Sequence, residues 1–110
     1  MTQPAGNRTI RVSVVTASAG QCAGKLTWGW ATEVLRNRIE RRFGASVSVE
    51  YIELFSPRSF EFPDVLTGIG EERLRLPVVL VGGEVVSSGA KLNEGLIARR
   101  VSEVLQAMEG

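Results

Sequence analysis

The chain contains no histidine and a single cysteine. Without histidine it lacks the commonest zinc ligand, the usual general base near neutral pH, and the Ser-His-Asp and Cys-His arrangements of nucleophilic catalysis. One cysteine excludes an internal disulfide and any site built from several thiolates. Thirteen basic against twelve acidic residues leave a net charge of +1, so the chain has no strongly basic field for nucleic acid. No run approaches the ~20 apolar residues that span a bilayer. Met1 to Arg8 has no apolar signal core. The expectations are no cofactor, no metal, no nucleic-acid partner and no membrane span, with a cytoplasmic location as the default. The oligomeric state is not legible at this level.

What is present suits one domain. The 110 residues are 44% hydrophobic, enough for one sheet and two or three helices around a single core. Residues 1–9 read as a flexible lead and 10–110 as a single domain. Arg11-Val12-Ser13-Val14-Val15 is a first strand. The glycine- and serine-rich stretch that follows, Thr16 to Lys25, breaks it and carries Cys22. A helix is expected from Thr27 to Arg42, with Trp30, Val34, Leu35, Ile39 and Phe43 at helical spacing and Gly44 as its stop. Arg36, Arg38, Arg41 and Arg42, interrupted by Glu33 and Glu40, read as its solvated face.

Val47, Val49 and Tyr51 then alternate as a second strand running to about Leu54. Pro57 and Pro63 bracket an irregular stretch whose Phe60 and Phe62 are expected to cover one end of the core. A short helix after Pro63 fits the preference of proline for the first helical position, although Gly68 and Gly70 weaken it. Leu76 to Val81 is a buried strand, Gly82-Gly83 a tight turn, and Glu84 to Ser87 the hairpin partner. Leu92, Leu96, Ile97, Val101, Val104 and Leu105 stripe a closing helix from Leu92 to Met108.

The order is a βαβ unit followed by a ββα unit. The first favours parallel strands. The fold class is therefore α/β, a central mixed four-stranded sheet with helices on both faces. The strand at Val78 should run antiparallel to the first, with Val85 to Ser87 at the edge. The expected core includes Val14, Trp30, Val34, Ile52, Val79, Leu80, Ile97 and Val101. A ferredoxin-like sandwich is the alternative, but it wants an additional strand.

Three stretches carry a family likeness. They are Cys22-Ala23-Gly24-Lys25 leading into Trp28 to Leu35, Val49 to Leu54 with the proline-containing loop after it, and Leu76 to Val81 through Val85-Val86 and Gly89 to Leu92. Across most of residues 11–105 the chain resembles a family of small bacterial thioredoxin-like disulfide oxidoreductases. The resemblance implies a thioredoxin-like three-layer fold with Cys22 as the reactive sulfur. It implies a cis Leu76–Pro77 bond, with Pro77 beside that sulfur; the other reading is a trans proline opening an edge strand. The family's second cysteine falls at Lys25, so dithiol cycling lacks its resolving thiol. Candidate site residues are thus Cys22, Lys25 and Pro77. Lys25 and a helix N-terminus favour a thiolate.

Two functions stay open. One is a monothiol redox or thiol-sensing role at Cys22, with a protein or glutathione as partner. The other is a non-catalytic protein-interaction domain on the same scaffold. Whether the chain is an enzyme is left undecided. Trp28 and Trp30, two apart, cannot share a helix face. Trp30 is assigned to the core, and Trp28 to a surface beside Cys22 or to the end of the sheet. Gly24-Lys25 is not a phosphate loop, because Ala19 and Leu26 occupy positions that need glycine and a hydroxyl. Glu71, Glu72, Arg73 and Arg75 read as surface charges.

Overall fold

The computed structural model describes residues 9–17, 28–89 and 91–109. Four strands form one sheet: β1 (Ile10–Thr16), β2 (Val47–Glu53), β3 (Val78–Val81) and β4 (Glu84–Ser88). Three helices accompany them: α1 (Trp28–Phe43), α2 (Pro63–Gly70) and α3 (Glu94–Glu109). Short 3-10 turns occupy Gly44–Ser46 and Pro57–Glu61.

The strand order is β2-β1-β3-β4. β2 lies parallel to β1, with Val12 opposite Val49 and Val15 opposite Ile52. β3 runs antiparallel to β1, with Val14 opposite Val79 and Val15 opposite Val78. β4 returns along β3 through Gly82-Gly83, whose positive φ values of 61° and 89° suit a two-residue hairpin turn. The expected topology is therefore observed, edge strand included.

Alternation along the strands divides the core in two. Val12, Val14, Val47, Val49, Val79 and Val81 face α1 and α3, where Leu35, Ile39, Ile97 and Val101 meet them. Val15, Ile52, Val78 and Leu80 face the other way, against Val65 of α2 with Leu54, Phe62, Ile69, Leu74 and Leu76 packed around them. β1 and β3 are buried on both faces, which is why they read as nearly continuous valine runs.

Three expectations need correction. Trp30 is 55% exposed rather than in the core, and Val34 is only half-buried. The buried stripe of α1 is Thr32, Leu35 and Ile39. Nine residues from Trp30 to Ile39 make two and a half turns, which sets the indole opposite that stripe. Phe60 is 58% exposed. The 3-10 turn buries Ser59 instead, whose hydroxyl donates to the Ser56 carbonyl at 2.7 Å.

The charged face of α1 is also not wholly solvated. Arg36 Nε donates to the Val49 carbonyl at 3.0 Å, and the Val49 amide donates to Glu40 Oε2 at 2.9 Å. Both groups belong to the outer margin of β2, the sheet's terminal strand.

Candidate functional site

The carboxyl ends of β1 and β2 lie at one end of the sheet, because the two strands are parallel. β3 is antiparallel and begins at that same end. Val78 stands opposite Val15, so the preceding Pro77 lies beside the point where β1 gives way to the Cys22 stretch. Pro77 is buried and its peptide bond with Leu76 is cis, as the family likeness implied. The Pro77 carbonyl accepts from the Gly89 amide at 3.0 Å, which draws the segment after β4 to the same end. The Leu54 amide donates to the Thr16 carbonyl at 2.8 Å and fixes the exit of β2 there too. Cys22 and Lys25, the other two expected site residues, lie outside the described residues.

Two aromatic residues are exposed on elements that reach this end. Trp30 sits near the start of α1. Phe55 follows β2, is 70% exposed, and has a φ of 69°. That left-handed conformation is a genuine outlier for a bulky side chain. The sequence reading did not single out Phe55, and no residue pattern marks a positive φ at phenylalanine.

Beside Trp30 runs a groove of about 340 Å³. Trp30, Ala31, Val34 and Leu35 of α1 form one wall and Leu92 contributes to the other, with Arg38, Lys91 and Glu94 also lining it. Arg38 Nη1 and Glu94 Oε1 are 3.2 Å apart. The groove exists because α1 turns its Leu35–Ile39 stripe to the sheet and leaves the Trp30–Val34 flank uncovered. Its signal in the sequence was the i, i+3, i+7 spacing of Thr32, Leu35 and Ile39, masked by a polar residue in the stripe.

A polar cluster lies on the α2 side of the sheet. Ser13, 3% exposed, donates its hydroxyl to Glu50 Oε2 at 2.7 Å. Arg58 donates to both oxygens of Glu50, from Nη2 at 2.9 Å and Nε at 3.1 Å. Arg58 also pairs with Glu61 and stacks over Phe62, 5.1 Å from the ring centroid. Burial alone would raise the Glu50 pKa, but hydrogen bonds from Arg58 and Ser13 and the charges of Arg58 and Arg11 outweigh it. The carboxyl is held below its ordinary value of 4.5. With both oxygens taken, Glu50 is a clamp between β1, β2 and the 57–61 turn rather than an acid or base.

A depressed carboxyl stabilises the fold above its ordinary pKa, and the contribution fades as pH falls through the lower, folded value. Glu50→Gln should therefore cost about 0.5–1.5 kcal/mol at neutral pH, since Arg58 is one-third exposed and partly screened. The penalty should shrink as pH falls below the ordinary carboxylate range, since the folded-state value lies lower still. Urea unfolding of both proteins at several pH values checks this; a penalty independent of pH would show that the charge of Glu50 contributes nothing.

Among the described residues no group of three His, Cys, Asp or Glu side chains is placed to hold a metal ion. No helix of the described residues is long and apolar enough to cross a membrane. No family model and no curated protein matches the chain. Solved structures do share the fold. A crystal structure of a Staphylococcus aureus protein of unknown function is similar over 89% of this chain and 93% of that one, with a TM-score of 0.63 and 19% identity. The structure of a malarial protein is similar over 86% of this chain and 96% of that one, with a TM-score of 0.52 and 8% identity. At such identities the likeness concerns the fold alone.

Proposed function

We propose that the chain is a thioredoxin-like protein, of three-layer architecture, that acts through a single thiol at Cys22. The observation that carries this reading is the antiparallel register of Val15 with Val78. It sets Pro77 beside the strand end from which the chain enters the Cys22 stretch. The order of strands and the helices on both faces support the same reading.

The chemistry is thiol–disulfide exchange. The Cys22 thiolate attacks one sulfur of a disulfide supplied by glutathione or by another protein. The old S–S bond breaks, a mixed disulfide forms, and the other sulfur departs as a thiolate that takes up a proton from solvent. Lys25 occupies the position of a resolving thiol, so release needs an external thiol. That thiol attacks the mixed disulfide and regenerates Cys22.

Reduced protein treated with oxidised glutathione is expected to gain one glutathionyl group, read by intact mass. Cys22→Ser should gain none. Insulin reduction with a thioredoxin-type electron donor should give no catalytic rate. A wild-type protein left unmodified under conditions that modify free cysteine would overturn the redox reading.

A second reading is favoured by one observation, the exposed indole of Trp30 beside an apolar groove. On that reading the scaffold is a protein-interaction domain, and Cys22→Ser leaves partner binding intact.

A further inference from the structure

The groove beside Trp30 has a distinct charge pattern. At 100° per residue, Trp30, Arg41, Val34 and Arg38 fall within about 80° of arc on one face of α1. The apolar pair occupies the first turns and the arginines the later ones. Arg38 lines the groove, Arg41 lies about one turn farther along the same face outside the lining, and Lys91 adds a cation on the opposite wall. Glu94 is the one carboxylate among the lining residues, and it is engaged by Arg38. Among the described residues no carboxylate pairs with Arg41 or Lys91, and both are exposed.

We infer that this groove docks an acidic segment of another protein, one in which one or two large apolar side chains lie beside carboxylates. The inference rests on the interaction reading and not on Cys22. The apolar walls offer an anchor position from which water is displaced, and an exposed tryptophan is the kind of residue that dominates such contacts. Lys91 and Arg41 select carboxylates around the anchor and speed encounter in a salt-dependent way. Two uncompensated cations are too few for a polyanion such as RNA, whose binding scales with the number of phosphates neutralised.

The test uses the full chain carrying Cys22→Ser, so that thiol chemistry plays no part. Three fluorescein-labelled peptides are compared: leucines among glutamates, the same leucines among lysines, and the same leucines among serines. Anisotropy reads binding, and the Trp30 indole N–H resonance, assigned with Trp30→Phe, reports its location. The glutamate peptide is expected to bind at least tenfold more tightly than the other two, to move the indole resonance, and to weaken with added salt. Lys91→Glu combined with Arg41→Glu, both surface changes, should lower its affinity at least tenfold. Trp30→Ala should lower it as well while leaving the circular dichroism unchanged.

Equal or tighter binding of the lysine or serine peptide at the Trp30 indole would keep the groove as an interaction site but overturn its acidic preference. No movement of the indole with any peptide would remove the interaction reading itself. Sedimentation showing a dimer that Trp30→Ala dissolves would make a second copy of the chain the occupant, which also overturns the proposal.

Discussion

Ile39→Ala is expected to remove about 3 kcal/mol of folding stability, a large share of the roughly 5–15 kcal/mol that holds a domain of this kind together. Ile39 is fully buried on the sheet-facing stripe of α1 and belongs to the cluster in which α1 and α3 meet β1, β2 and β3. Truncation loses the transfer energy of its methyl groups and leaves a void that neighbouring valines, stiff at χ1, refill poorly. Ile39→Val should cost about 1 kcal/mol on the same argument. Urea denaturation reads both, with the midpoint falling and the slope unchanged. A loss below about 1 kcal/mol for the alanine variant would show that α1 is not seated on the sheet as described.

Gly68→Ala is the second large effect, and its sign is decided by two opposing terms. Glycine inside a helix is worse than alanine by up to about 1 kcal/mol, so propensity alone predicts stabilisation. The space does not allow it. A methyl group on Gly68 would lie 2.7 Å from Leu74 Cδ1 and 2.9 Å from Leu74 Cγ. Leu74 cannot simply withdraw, because its amide and that of Arg73 donate to the Gly68 carbonyl at 3.0 and 2.8 Å and its side chain packs against the cluster of Val15, Ile52, Val65, Val78 and Leu80. Overpacking of this kind costs about 1–3 kcal/mol, and a net destabilisation of about 1–2 kcal/mol is expected after the propensity gain.

Two controls sharpen the result. Gly70 sits in the same helix with nothing within 4 Å of an added methyl, so Gly70→Ala should be neutral or slightly stabilising. Combining Gly68→Ala with Leu74→Ala should cost less than the sum of the two, since the second change makes the room that the first needs. Stabilisation by Gly68→Ala would mean that α2 stands farther from Leu74 than described.

The sheet was legible because its signals are redundant. Valine runs, the Gly82-Gly83 turn and the βαβ order each point to the same pairing, and they agree. Rotation about α1 was not legible. A tryptophan at helical spacing from Val34 mimics a core residue, while Thr32 hides the true stripe because a hydroxyl does not read as buried. Gly68 was read as a weakness in α2; its role depends on how closely Leu74 folds back, a tertiary fact with no local signature. Glu50 and Ser13 fall on adjoining strands and meet only once register is set. Of the expected site residues, Pro77 has the cis bond that a family likeness implied rather than any pattern in the residues, and Cys22 and Lys25 lie beyond the described residues.

With a net charge of only +1, mutual repulsion does little to keep copies of this chain apart. The two ends of the sheet meet that problem by different means. At β2, the hydrogen-bonding groups of Val49 are already spent on Arg36 and Glu40, so an incoming strand finds no amide or carbonyl to claim at that residue. At β4, the register shifts opposite Val79 and Leu80, and a straight strand laid alongside would fall out of step with the ladder. Growth of the sheet by stacking strand upon strand is thus discouraged at β2 by side chains that cap Val49 and at β4 by the shift in register. Near electrical neutrality, these two edge features are what the fold sets against strand-on-strand association.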